Sequence, residues 1–207
     1  MSLVAFLIAA IVLAVTPGPG IAYVVARTVA GGRSEGLASC LGTGVGGMLH
    51  VLAAALGLSL LVAQSALAFN LVKYVGATYL IYLGIRMLLR KDEAMAVDAL
   101  AVKSQGARRA FVEGIAVEAL NVKTALFFLA FLPQFVAPNQ PLAPQLALLG
   151  TICVALNTLV DVVAVFAAAH LLKSNAARAA RARLMTKASG VTMLGLGAYL
   201  ALARREG

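Results

Sequence analysis

Tryptophan is absent from this chain of 207 residues, and cysteine occurs only twice, at Cys40 and Cys153. Both cysteines lie in apolar stretches, which argues against a zinc cluster or an extracellular disulfide frame. Charge is scarce too. Asp, Glu, Lys and Arg make up 12% of the residues, against about a quarter in an ordinary soluble domain. Acidic side chains are the rarer sign, 8 against 17 basic ones. No charged residue precedes Arg27. A secretory signal carries its basic region ahead of the apolar stretch, so this N-terminal run reads as a permanent membrane helix.

What is present is apolar. Hydrophobic residues supply 62% of the chain, and the mean hydropathy is +0.95. Such a composition excludes a soluble enzyme and a disordered chain and leaves an integral membrane protein. The net charge of +9 does not point to nucleic acid, because the basic residues cluster at the ends of apolar segments, where lipid headgroups and orientation account for them.

Six apolar runs are expected to cross the bilayer as helices, at about 3–25, 38–63, 67–89, 112–136, 146–171 and 184–203. Each is close to the roughly 20 residues a spanning helix needs. The first, third and fifth loops hold most of the basic residues, among them Arg27, Arg33, Arg90, Lys91, Lys103, Arg108 and Arg109. Those loops are therefore expected in the cytoplasm, with both termini outside. Residues 176–184 space their arginines as a helix lying on the inner headgroups would, and equally as a solvated linker would.

The third and sixth runs resemble each other. Lys73-Tyr-Val-Gly76-Ala-Thr78-Tyr-Leu80 parallels Lys187-Ala-Ser-Gly190-Val-Thr192-Met-Leu194, and Leu41-Gly42-Thr43 parallels Leu149-Gly150-Thr151. The expected fold is thus all-α, one membrane domain over 1–207 with six transmembrane helices in two repeats. Repeat one covers about 1–90, a cytoplasmic linker about 91–110 and repeat two about 111–207. Three is odd, so the two repeats must insert with inverted topology, a construction typical of secondary transporters.

Two places carry polarity at membrane depth. Pro17, Gly18, Pro19 and Gly20 should break the first helix, since two of them lack a backbone donor and two lack a side chain. Amides after such a break suit a carboxylate. Glu118, Asn121 and Lys123 form the second place, in the fourth run. Glu118 and Asn121 share a helix face, whereas Lys123 falls off that face unless the helix unwinds. Asp161 in the fifth run needs a partner from another helix, and Lys123 is the preferred one. His50 in the second run is either a satisfied polar residue or a proton relay. Glycines 42, 44, 46 and 47 favour close helix packing.

Over its whole length the chain resembles the LysE/RhtB family of bacterial amino-acid exporters. The match rests on Thr16-Pro17-Gly18-Pro19, Gly42-x-Gly44-x3-Met48-x-His50, Tyr79-Leu80-x2-Leu83-Gly84, and Asn121-x-Lys123 followed by Phe127-Phe128-x3-Leu132-Pro133-Gln134-Phe135. The resemblance implies export of a threonine, homoserine, leucine or lysine type of amino acid from the cytoplasm across the bacterial inner membrane, driven by protons. It departs from the family where Asn-Pro-Lys reads Asn121-Val122-Lys123, so the fourth helix is expected to break less sharply.

The substrate is then expected among Pro17, Gly18, Pro19, Gly20, Glu118, Asn121, Lys123 and Asp161, with His50, Glu118 and Asp161 as proton-coupling groups. Neither enzymatic activity, a cofactor nor a bound metal is expected. The partners are the amino acid, protons and the lipid bilayer; a homodimer is left open. Two rival readings remain: a metal-ion exporter, and a membrane thiol–disulfide relay using Cys40 and Cys153.

Overall fold

The computed structural model describes residues 3–58, 66–89, 103–137 and 139–171, with 187, 190–191, 193–195, 197–198 and 201–202 beyond them. Every regular element among these residues is helical. The stretch 176–184, the pairs Arg90-Lys91 and Arg204-Arg205, and part of the sixth run lie outside the described residues.

α1 (Leu3–Val15) stops where its ladder runs out of donors. Pro17 and Pro19 have no N–H to give to the carbonyls of Leu13 and Val15. The Thr16 hydroxyl turns back onto the Val12 carbonyl at 2.6 Å. α2 (Pro19–Ala53) then starts with proline in its first turn, where a missing donor costs nothing. Its 35 residues would extend about 50 Å as a straight rod, well beyond a hydrocarbon core of ~30 Å. The helix is instead divided at Gly32, whose φ of 72° and ψ of −166° suit only glycine. The chain reverses there: before Gly32, Gly20 lies beside Glu118 and Arg27 beside Glu113, and after it Gly42 lies beside Phe111 and Gly46 beside Ile115. The expected connection between the first two runs is thus a tight turn at Gly32, with helix on both sides and Arg27 and Arg33 flanking it.

α3 (Ala66–Leu89) follows, and α4 (Ala107–Ala119) opens the second half. Leu120 and Asn121 interrupt the chain before α5 (Val122–Leu126). A π-helical turn (Phe127–Phe131) and a 3-10 turn (Leu132–Phe135) complete that run, bent by 44° against α4. α6 (Leu142–Leu171) is the long helix of this half. Two helical stretches are long and apolar enough to cross a membrane by themselves, Pro19–Gly57 and Leu142–Ala168, and the bent α4–α5 run makes a third if counted as one span.

Contacts at small residues give the directions of packing. Ser39, Gly42 and Thr43 of α2 meet Gly114 of α4, and Gly46 meets Ile115 and Glu118 further along, so the stretch of α2 after Gly32 runs parallel to α4. Gly36 meets Val165, Gly44 meets Thr158, and Val51 meets Gly150, so α2 and α6 run antiparallel. Gly84 of α3 approaches Gly190, and Ala77 approaches Gly197, again in opposite order. Phe6, Leu13, Phe127, Phe128, Phe131 and Leu132 fill the core. Leu3, Leu41, Leu148, Leu159 and Val163 are exposed, while Thr43, Glu118, Asn121, Thr124 and Asp161 are buried. A soluble protein reverses that distribution; here lipid covers the outside, and polarity is gathered inside.

Candidate functional site

The two helix breaks face each other. The chain around Thr16–Gly20 runs antiparallel to α4 and α5, with Gly20 beside Glu118 and Gly18 beside Lys123. Lys123 completes the first break. Its Nζ donates to the carbonyls of Leu13 (3.2 Å) and Thr16 (2.9 Å), the former being the acceptor that Pro17 leaves without a backbone donor. His50 completes the second break: its Nε2 lies 2.8 Å from the Glu118 carbonyl, which also accepts the Asn121 N–H at 2.9 Å.

The second break forms without proline. The Asn121 side-chain oxygen accepts the Lys123 N–H at 3.1 Å and caps α5, as an N-cap asparagine does. The interruption that the sequence suggested is thus present with valine at 122. The unwinding also brings Lys123 round to the side of Glu118, from which an unbroken helix would keep it.

Between the breaks lies a cavity of about 30 Å³, room for a water molecule or two and for no amino acid. Thr16, Gly20, Thr43, Glu118, Asn121, Lys123, Thr124, Asn157, Thr158 and Asp161 line it, with apolar wall from Ala14, Ile21 and Val154. Both oxygens of Glu118 are engaged: Oε1 accepts from the Thr124 hydroxyl at 2.6 Å and Oε2 from Asn121 Nδ2 at 3.0 Å. Oδ2 of Asp161 accepts from the Thr43 hydroxyl at 3.1 Å. The expected pairing of Lys123 with Asp161 is not made; the lysine serves carbonyls and the aspartate a threonine. A Cβ at position 20 would sit 2.6 Å from Glu118 Oε2, so any larger residue there displaces the carboxylate.

A second charged cluster lies about two helical turns further along. Arg27, buried, pairs with Glu113 and stands 3.8 Å from Glu35. Glu35 Oε1 accepts from the Ser104 hydroxyl (2.5 Å) and from the N–H groups of Gln105 (3.0 Å) and Gly106 (2.7 Å). Tyr23 donates to the Ala110 carbonyl at 2.9 Å, and Arg109 reaches Glu113 at 2.7 Å. This cluster ties the bend of α2 to the start of α4.

The sequence pattern describing the LysE type translocator family matches residues 11–204. The homoserine/homoserine lactone efflux protein of Salmonella typhimurium is 32% identical over 203 residues, covering 97% of this chain and 96% of its own. An uncharacterized membrane protein of Vibrio cholerae is 30% identical over 200 residues, covering 97% and 96%. The membrane protein YrhP of Bacillus subtilis is 30% identical over 165 residues, covering 76% and 79%. No solved structure matches the chain.

The chain belongs to the LysE type translocator family.

In this translocator Gly20, Glu118, Asn121, Lys123 and Asp161 are brought to one cavity, as their sequence setting suggested they could be. Pro17, Gly18 and Pro19 form the break beside it without lining it, though Gly18 touches the Lys123 side chain. His50 stands behind the second break, outside the lining. Thr43, Thr16 and Thr124 were not singled out by the sequence reading. The signal for Thr43 was present in the repeated Leu-Gly-Thr, but nothing along the chain ties it to Asp161. Cys40 and Cys153 are free and lie in different core clusters. Among the described residues no three His, Cys, Asp or Glu side chains converge as metal ligands.

Proposed function

We propose that this translocator exports a small zwitterionic amino acid of the homoserine, threonine, leucine or lysine type, or a close analogue, out of the cytoplasm in exchange for protons. The arrangement is two inverted three-helix repeats, 1–90 and 111–207 with a cytoplasmic linker, both termini outside, in the bacterial inner membrane. The observation that carries the reading is the cavity between two facing helix breaks, with one cation and two carboxyl groups on its wall. The name of the Salmonella relative supports an amino-acid cargo of homoserine type.

The substrate carboxylate sits at the first turn of α2, where Gly18 supplies no side-chain cap and Gly20 and Ile21 line the cavity. Lys123 adds positive charge there, and Asn121 a polar edge. The ammonium faces Glu118 and Asp161. The cavity is too small for the substrate in this closed state, so the repeats rock apart to admit it from one side and release it on the other. Proton coupling falls to Glu118, Asp161 or His50.

Counterflow in proteoliposomes, loaded in turn with homoserine, threonine, leucine and lysine, tests the reading. Exchange of at least one of these, accelerated by an opposing pH gradient and lost in Lys123→Met, is the expected result. Absence of exchange with all four, or full activity of Glu118→Gln, Lys123→Met and Asp161→Asn alike, sinks it.

A further inference from the structure

We infer that Asp161 is the carboxyl that trades a proton for substrate, that the Thr43 hydroxyl is the positioning residue that lets it do so, and that Glu118 stays a fixed anion. The inference rests on the export reading and divides its roles.

Hydrogen-bond inventory separates the two acids. The Asn121 amide nitrogen can only donate, so the Glu118 Oε2 it contacts at 3.0 Å must accept. The Thr124 hydroxyl gives its one proton to Oε1 at 2.6 Å and has no second acceptor among the described residues. Protonating Glu118 would weaken both bonds, because a neutral carboxyl accepts less strongly than a carboxylate. The site is built for a carboxylate.

Thr43 offers Asp161 something different. Its hydroxyl lies 3.1 Å from Asp161 Oδ2 and 3.0 Å from the Cys40 carbonyl. One hydroxyl proton cannot serve both acceptors at once. With Asp161 charged, the proton points to Oδ2. With Asp161 protonated, the acid donates to the threonine oxygen and the threonine proton turns to Cys40. The Thr43–Asp161 hydrogen bond is kept in both protonation states, and switching between them needs only a hydroxyl rotation. The other Asp161 oxygen has no protein partner among the described residues and belongs to a side chain on the cavity wall. Among the described residues the titratable groups facing Asp161 are Cys40 from α2, Glu118 from α4 and Lys123 from α5; α1 contributes none.

In the cycle, an amino acid entering from the cytoplasm brings its ammonium to Asp161, and the carboxyl proton leaves to the cytoplasm. After release outside, a proton from outside rejoins Asp161. One proton enters for each amino acid that leaves.

The test is the KM of counterflow as a function of pH, equal on both sides of the membrane, for the amino acid that wild type exchanges best of the four. Wild-type KM should rise on the acid side as the proton competes. Thr43→Ala removes the donor that favours the charged acid, so the rise should begin about one pH unit higher. Thr43→Ser should restore the wild-type profile. Glu118→Gln should raise KM at every pH and leave the midpoint in place, and Asp161→Asn should flatten the profile. An unmoved midpoint in a folded Thr43→Ala variant, or a flat profile in Glu118→Gln with a sloping one in Asp161→Asn, overturns the assignment. Lack of exchange by wild type overturns the export reading beneath it.

Discussion

The two charged clusters of this translocator occupy neighbouring stretches of the same antiparallel pair, yet they are built in opposite ways. At the bend of α2, Arg27, Glu35, Glu113 and Arg109 satisfy one another as ion pairs, supplemented by the backbone of 105–106. In the cavity, Glu118, Lys123 and Asp161 form no ion pair with one another; hydroxyls, an amide and broken-helix carbonyls hold them instead. Mutual pairing closes a cluster, because every charge already has its counter-charge. Neutral dipoles steady a charge without cancelling it, so a zwitterion can still bring the missing opposite. The first arrangement suits a clamp, the second a binding site.

That contrast is broken most severely at Arg27. Arg27→Met removes the cation beside the buried Glu35 and leaves Glu113 with Arg109 alone, with an expected loss of about 3 kcal/mol. Thermal unfolding in detergent should register it as a fall in Tm of about 10 °C. Lys123→Met should act the other way round. Substrate exchange should drop by at least tenfold, while stability falls by the cost of two unsatisfied carbonyls, about 1–3 kcal/mol each. A Lys123→Met protein with normal counterflow would erase the distinction between clamp and site.

Smaller changes sharpen it. Gly32→Ala forces a side chain into a backbone region essentially reserved for glycine, at a cost of about 1–3 kcal/mol, visible as a lowered Tm. Thr124→Val leaves Glu118 with one donor fewer. An increase in KM of about tenfold is expected, since a hydrogen bond to a charged group is worth roughly 1.5–3 kcal/mol. The smallest effect belongs to Val122→Pro. Position 122 is the first residue of α5, where proline is well tolerated, and Asn121 already caps the break. Tm and counterflow should both stay near wild type; a large loss in either would mean that the Val122 N–H carries a bond that matters.

Much of this was legible along the chain. Pro17 and Pro19 remove particular donors, so the first break follows from covalent structure alone. The hydropathy of the runs requires helices in lipid, because each must satisfy its own backbone. Other features were legible only in part. Charge at Arg27 and Arg33 marked the connection between the first two runs, but not that Gly32 alone makes the turn, with helix on both sides. Val122 drew attention to the second break, but not to the Asn121 cap that forms it without proline.

Composition and periodicity by themselves determined a helical membrane protein with an interrupted first helix and buried ionisable groups. They do so because lipid offers no hydrogen bonds and tolerates few charges. Tertiary structure alone decided the partners: Lys123 with the Leu13 and Thr16 carbonyls, His50 with Glu118, Thr43 with Asp161. Those side chains are 68 to 118 residues apart in sequence, and no helical period reaches that far. Only the packing of one broken helix against the other selects which free carbonyl meets which cation.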